Sequence, residues 1–432
     1  MRVLVTGAYG LIGSAVLARL RRGGHDLIAA GRSIEAARRR APFARWVEAD
    51  FNRLTRPEDW LPLLDGVDAV VNCVGVLQDG AGDRVRRVQV TATNALFTAC
   101  ERRGVKRAIH ISAVGAERGA PTKFARSKAI AEEHLQSLDL DWAILRPGLV
   151  IAPAAYGGTA MLRGLAGLPW RIPLVSADAR IQIVGVDDLA ETVSRCLAPD
   201  APVRVRWDIA CPQEFTLARI VVAFREWLGL PPRPFVTVPR GIATLVSRIA
   251  DALGYLGWRS PARTTALKQL SAGVLGDPLP WMAATGIRPK SLDDVLAQMP
   301  ASVADRWFAR LYLLKPVAIA GLALFWLLTG LIALGPGRDA ALGHLLAAGF
   351  PAWFAEPFLI AGALLDVVLG LMLLVRRTAR LALLTMLAAT PFYLLAGTLF
   401  APQLWLDPLG PLLKVVPMLV ATALTLAIMD DR

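Results

Sequence analysis

Arg2-Val3-Leu4-Val5-Thr6-Gly7-Ala8-Tyr9-Gly10-Leu11-Ile12-Gly13 opens the chain and decides its fold. An apolar strand leads into three glycines spaced G-x-x-G-x-x-G, and an amphipathic helical stretch follows to about residue 22. Bare backbone N–H groups and the positive end of a helix then face outward together, an arrangement that suits a pyrophosphate. Side chains at those glycines would block the approach. A plain tight turn is the alternative; the strand before and the helix after favour dinucleotide binding.

Working outward, apolar runs at 25–30, 45–49, 68–74, 107–111 and 142–145 alternate with helical stretches near 11–22, 57–65, 86–103 and 126–138. This alternation predicts an α/β Rossmann fold, a doubly wound parallel sheet. Its ligand should lie beyond the carboxyl ends of the strands. The second strand is followed by Gly31-Arg32-Ser33, where a carboxylate would hold the ribose of NAD. A guanidinium beside a small hydroxyl suits a 2′-phosphate, so NADP is the preferred cofactor and NAD the other candidate. Asp50-Phe51 follows the third strand, offering an acceptor and an apolar surface to adenine, although an ordinary helix-leading Asp explains Asp50 almost as well. After the fourth strand, Asn72-Cys73-Val74-Gly75 brings glycine backbone towards the cofactor. Residues 150–300 should include a smaller substrate-side part, in which Asp187-Asp188 caps a helix and another helix runs from Thr216 to Leu228.

The chain has 432 residues, 55% of them hydrophobic, and the excess is concentrated at the C-terminal end. Segments 316–334, 357–375, 381–400 and 411–429 are each about 19–20 mostly apolar residues, long enough to cross a bilayer. A four-helix transmembrane bundle over 316–432 follows, joined to the first domain by a linker at 301–315. Arg306, Arg310 and Lys315 precede the first span, and Arg376, Arg377 and Arg380 fill the second connection. The positive-inside rule then predicts a multi-pass protein of the inner (cytoplasmic) membrane with both termini cytoplasmic. The first residues form a strand and a glycine loop, not a signal peptide.

A net charge of +13 raises the possibility of nucleic acid, but no basic-aromatic recognition motif accompanies it. Basic stretches at 38–40 and 84–87 are either a solvated face or a contact with anionic membrane lipid. Cys73, Cys100, Cys196 and Cys211 are far apart, show no C-x-x-C or metal-ligand spacing, and read as reduced packing residues. No His/Cys cluster points to haem or zinc. Asp366 falls near the middle of the second span and should face the bundle interior, either as a functional acid or as an interhelical anchor. Lys414, Thr329, Thr390 and backbone are its candidate partners.

Residues 1–300 resemble the extended and atypical short-chain dehydrogenase/reductase superfamily. The resemblance is carried by the glycine turn, Asp50-Phe51, Asn72 to Gly75, Ser112-Ala113-Val114-Gly115, Arg126-Ser127-Lys128-Ala129, Leu145-Arg146-Pro147-Gly148 and Val186-Asp187-Asp188-Leu189-Ala190. The branch it is most similar to includes the NADPH-binding accessory subunit of respiratory complex I. The C-terminal 120 residues resemble a DoxX-like membrane domain. The superfamily implies a cofactor site of Gly7, Tyr9, Gly10, Leu11, Ile12, Gly13, Arg32, Ser33, Asp50, Phe51, Asn72, Gly75, Ser112, Lys128 and Pro147. It also implies a catalytic Ser, Tyr and Lys, with Tyr four residues before Lys. Here Ser112 and Lys128 stand, but Phe124 occupies the tyrosine position. The usual proton donor is missing, a loss of about 10² to 10⁴ in rate for ordinary carbonyl chemistry. Two readings remain. One is a membrane-anchored oxidoreductase passing hydride to a small or lipophilic acceptor such as a quinone, with a membrane redox partner. The other is a non-catalytic NADP(H)-binding structural, sensing or assembly protein of a membrane complex.

Overall fold

A computed structural model describes residues 1–430. The chain divides into two compact units. One comprises Met1–Gly254 with Ser260–Ala309; the other comprises Tyr255–Arg259 with the chain from Arg310 onward.

The first unit is built on seven parallel strands, β1 (Arg2–Thr6), β2 (Asp26–Gly31), β3 (Arg45–Glu48), β4 (Ala69–Asn72), β5 (Arg107–Ile111), β6 (Asp141–Pro147) and β7 (Val205–Ile209), in the order β7-β6-β5-β4-β1-β2-β3. Val3 pairs with Leu27 on one side and with Ala69 on the other, so the strand order reverses at β1 and opens a crevice between β1 and β4. Val3, Leu4 and Val5 are fully buried, as β-branched and aliphatic residues are in a sheet covered on both faces. The sequence reading stops at the sixth strand. β7 is an edge strand, Val205-Arg206-Trp207-Asp208-Ile209, whose polar alternate positions hide it among loop residues.

Helix α1 (Leu11–Arg22) follows the glycine turn, and α2 (Thr93–Arg103) follows β4 after a π-helical turn over Arg87–Ala92. Helix α3 (Lys123–Gln136) begins where Thr122 accepts the Ala125 N–H at 3.1 Å. In the smaller part, Thr216 caps the helix Leu217–Trp227 by accepting from Arg219 N. The expected cap at Asp187-Asp188 is corrected: Gly185 is the N-cap, and Asp188 instead accepts Lys290 N at 3.1 Å and Lys290 Nζ at 3.3 Å. A further helix, α4 (Arg240–Tyr255), closes this part of the chain. The segment read as a linker contains the helix Val303–Tyr312.

In the second unit, α5 (Leu314–Leu334), α6 (Ala352–Leu374) and α7 (Arg376–Phe400) have 21, 23 and 25 residues and are long and apolar enough to cross a membrane. The fourth predicted span is corrected. Helix α8 (Val415–Ala427) has only 13 residues, roughly 20 Å at 1.5 Å per residue, against a hydrocarbon core of about 30 Å. Lys315 Nζ and Arg376 Nη2 both donate to the Met429 carbonyl at 3.1 Å, which brings the start of α5, the start of α7 and the end of α8 to one basic end of the bundle. Asp366 is buried. Its partner is none of those expected: Tyr393 donates its hydroxyl to Asp366 Oδ1 at 3.2 Å, while Thr329 and Thr390 bond the carbonyls of Phe325 and Met386 in their own helices.

Candidate functional site

The glycine turn sits at the mouth of the β1–β4 crevice. Gly7 adopts φ +65, and a Cβ there would lie 3.0 Å from the Cys73 backbone. At Gly13 a Cβ would come within 2.3 Å of Gly7 O, so the first turn of α1 is pressed directly onto the loop. Gly10 N donates to Gly7 O at 2.9 Å and Gly10 is the N-cap of α1, leaving the early amides of α1, from half-buried Leu11 and Ile12 onward, at the crevice. Tyr9 packs over Gly31, where a Cβ would meet its ring at 2.2 Å.

At the far end of that loop, Arg32 Nη1 is 2.5 Å from Asp83 Oδ1 and 3.3 Å from Gly82 O. Burial works against the Arg32 charge, but Asp83 and Tyr9 outweigh it and raise its pKa. Asp83 belongs to the long segment between β4 and α2, and no local sequence signal pairs it with Arg32. Ser33 is exposed beside Arg32. Asp50 Oδ1 accepts Asn52 N at 2.9 Å, and Asn52 Nδ2 donates to Gly82 O at 3.0 Å, so this turn and the Asp83 segment are tied together.

Two side chains read as cofactor contacts are engaged within the protein. Phe51 is 4% exposed and packs edge-on against Trp60 at 4.9 Å, so its ring is part of the core. Asn72 is fully buried: its Oδ1 accepts from Thr6 Oγ1 at 2.8 Å and Val74 N at 3.1 Å, and its Nδ2 lies 3.3 Å from His110 Nδ1. It locks the ends of β1, β4 and β5 together. Pro147, at the end of β6, is likewise buried.

Lys128 stands on α3 with its ammonium buried at the ends of β4 and β5. Its Nζ donates to Ile111 O at 2.7 Å and to Val74 O at 3.3 Å, next to exposed Gly75. Burial pushes its pKa down to about 8, opposed by Glu132 one helical turn on. The Ser112 hydroxyl, expected at the reacting end of the site, donates instead to Glu132 Oε1. Glu132 is in turn gripped by Arg146, with Nε at 2.9 Å and Nη2 at 2.5 Å, and Arg146 also donates to Ala116 O. The i+4 spacing of Glu132 to Lys128 is a signal the sequence carries; its pairing with Arg146 is a tertiary contact. Gln89, on the π-helical turn, has no such signal. It is 1% exposed and gives its Nε2 proton to Ser127 Oγ at 2.7 Å. Its Oε1, near Gly75, has no hydrogen-bond partner among the described residues. Lys123, at the start of α3, is well exposed 3.7 Å from Asp79, and Tyr156 is the exposed N-cap residue of the helix Gly157–Ala166.

This geometry is that of a Rossmann domain whose crevice suits a nicotinamide dinucleotide. Residues 7–166 match the NAD(P)H-binding family, and residues 323–423 match the DoxX-like family. The chain therefore carries an NAD(P)H-binding Rossmann domain followed by a DoxX-like domain, whose three apolar helices indicate membrane association. It is 24% identical over 232 residues to the NAD(P)H azoreductase of Xenophilus azovorans, covering 54% of this chain and 75% of that protein. It is 22% identical over 232 residues to mitochondrial NADH dehydrogenase (ubiquinone) 1 alpha subcomplex subunit 9 of Rattus norvegicus, covering 52% of this chain and 59% of that one. Among solved structures, the UDP-glucose 4-epimerase of Thermus thermophilus in complex with NAD shares the fold, with a TM-score of 0.52, 22% identity, and coverage of 70% of this chain and 100% of that chain.

Proposed function

We propose that this protein is a membrane-anchored NAD(P)H-dependent oxidoreductase that passes hydride to a small or lipophilic acceptor, such as a quinone, that needs no protein phenol. The observation that carries the reading is Lys128, a buried ammonium beside the glycine cradle with two of its three protons given to backbone carbonyls and one left for a ribose hydroxyl. The tight glycine turn and the orphaned Gln89 Oε1 fit the same ligand, the first by close approach to a pyrophosphate and the second as a ribose acceptor. When bound, the nicotinamide supplies the hydride. Phe124, four residues before Lys128 on the same helix, has no proton to offer. The azoreductase relative bears a name consistent with acceptors of this class.

NADP(H) is the preferred cofactor in this reading, because Arg32 follows β2 where a carboxylate would repel a 2′-phosphate. Asp83 tempers the preference by sharing the guanidinium, and NADH remains a usable ligand. The basic bundle end, with Arg310, Lys315, Arg376, Arg377 and Arg380, is assigned to the cytoplasmic side of the inner membrane, with both termini on that side.

The second reading, a cofactor-binding structural or assembly subunit, is favoured by Phe124 and by Ser112 being engaged with Glu132. The rat relative is named as a subunit of a larger complex. Membranes carrying the full chain, given NADPH and a short-chain quinone, decide between them. NADPH consumption that vanishes in Lys128→Ala supports the enzyme. Thermal stabilisation by NADPH without consumption supports the structural role, because a ligand bound only by the folded state stabilises it by mass action.

A further inference from the structure

Helix α4 carries its large apolar side chains on the outside. Ile242, Leu245, Val246 and Ile249 are 55%, 60%, 49% and 52% exposed, and Leu253 continues the stripe. The residues that pack inward are small: Ala243, Ser247, Ala250 and Gly254. At 3.6 residues per turn these sets fall on separate faces, and Thr244, Arg248 and Asp251 occupy a third. An ordinary amphipathic helix buries its bulky apolar stripe in the core. This one turns it outward over about three helical turns, forming a patch larger than scattered surface residues make.

The chain itself says what lies beyond that patch. Helix α4 ends at Tyr255, and Tyr255–Arg259 already belongs to the membrane unit. There Trp258 Nε1 donates to Leu374 O at 2.6 Å, Arg376 N donates to Leu256 O at 2.9 Å, and the Arg376 guanidinium lies 5.6 Å from the Trp258 ring. Leu374 and Arg376 are the last residue of α6 and the first of α7, the point at which two spans leave the hydrocarbon. The exposed apolar helix is therefore covalently continuous with a segment fixed at headgroup level. Its other end is preceded by the strand Phe235–Thr237, which pairs with Ile172–Leu174 next to Trp170, a tryptophan 81% exposed. Exposed tryptophan and tyrosine belong at a bilayer interface. Arg240 and Arg248, both exposed, suit anionic headgroups.

We infer that α4 lies in the plane of the membrane with Ile242, Leu245, Val246, Ile249 and Leu253 sunk into the boundary between headgroups and acyl chains, a second attachment to lipid besides the spans. The inference rests on the membrane anchoring proposed above and deepens it. On its third face, Asp251 accepts from Gln78 Nε2 at 2.6 Å and Arg263 Nε at 3.1 Å, and Arg263 Nη2 donates to Asp79 O at 2.7 Å. The segment running from Gly75 to Asp83, which borders the cofactor site at both ends, is thus fastened to the helix that rests on the bilayer.

The test uses the full chain in vesicles of phosphatidylcholine and phosphatidylglycerol, with an environment-sensitive fluorophore on Leu245→Cys, Ile249→Cys, Thr244→Cys or Leu324→Cys. The unsubstituted chain, whose cysteines are buried or half-buried, serves as the labelling blank. The substituted positions are exposed, so packing is undisturbed. Probes at 245 and 249 should shift to the blue and be quenched by lipids spin-labelled near the headgroup. The probe at 244 should respond to aqueous iodide, and the probe at 324, on α5, to lipids labelled near the chain end. Iodide quenching at 245 and 249 with lipid quenching intact at 324 would overturn the inference while leaving the anchoring standing. Shielding at 245 and 249 from both iodide and lipid would also overturn it, because protein would then cover the face. Iodide quenching at 324 would remove the anchoring and the inference together.

Discussion

The pH dependence of nucleotide binding isolates the role of Lys128. Its ammonium has three protons; Ile111 O and Val74 O take two at 2.7 and 3.3 Å, and the third is available to a ribose hydroxyl. A hydrogen bond from a charged donor is worth about 1.5–3 kcal/mol, so Lys128→Met should weaken NADPH and NADH alike by about ten- to a hundredfold. Burial holds the Lys128 pKa down at about 8 in the free protein. A ligand that accepts from the charged form raises that pKa on binding, so affinity is level below it and falls as pH rises through it. Fluorescence titration of the full chain from about pH 7 to about pH 9 should show Kd rising by up to tenfold per pH unit on the alkaline side. The Lys128→Met profile should be flat and start weaker. A flat profile in the unsubstituted chain, or an alkaline rise that persists in Lys128→Met, would refute the assignment of that third proton to the ligand.

Arg32→Glu should cost NADPH about ten- to a hundredfold more affinity than NADH, the value of one charge-assisted contact, and equal losses would remove the 2′-phosphate reading. Asp83→Asn, which frees Arg32 from its 2.5 Å partner, should raise the NADPH-to-NADH affinity ratio in the same titration. Gly13→Ala drives a Cβ to 2.3 Å from Gly7 O, and a clash of that size costs about 1–3 kcal/mol; NADPH should no longer raise the thermal midpoint. Glu132→Gln leaves the largely buried Arg146 without its carboxylate and should destabilise the nucleotide domain by about 3 kcal/mol, read as a drop in the cofactor-loaded melting transition.

The parts of the fold legible in the sequence are those with strong local patterns. The glycine turn, the buried aliphatic strands β1, β4 and β5, and the long apolar helices α5 to α7 each carry their own signal in a continuous stretch of chain. What escapes depends on distance or on edges. Strand β7 alternates polar and apolar residues, and the apolar stretch at 411–429 forms a helix only over Val415–Ala427. In the site, Lys128 and Arg32 are readable from their positions on a helix face and after a strand end. Their partners are not, because Asp83 comes from a loop 51 residues further along the chain. The side chains of Phe51 and Asn72 sit at the right places in the chain but point inward, since the ends of neighbouring strands must also be packed and hydrogen-bonded.

The conversion of one polar group explains which chemistry the site retains. Along α3, Phe124, Lys128 and Glu132 share one face at four-residue intervals. A tyrosine at the first position, activated by the lysine and assisted by a serine hydroxyl, would move protons to and from a substrate oxygen. Here the first position has no proton to give, and Ser112 donates its own to Glu132, whose charge Arg146 balances. In the proposed function, Lys128 serves the nucleotide, while Ser112, Glu132 and Arg146 are engaged with one another. Phe124→Tyr alone should therefore not create aldehyde or ketone reduction, because the restored phenol still lacks a free serine hydroxyl to orient the carbonyl. Turnover of a simple aldehyde by that variant, at the gain of about 10²-fold or more over the unsubstituted chain that one general acid supplies, would show that Ser112 is not committed to Glu132 and would return the protein to ordinary carbonyl chemistry.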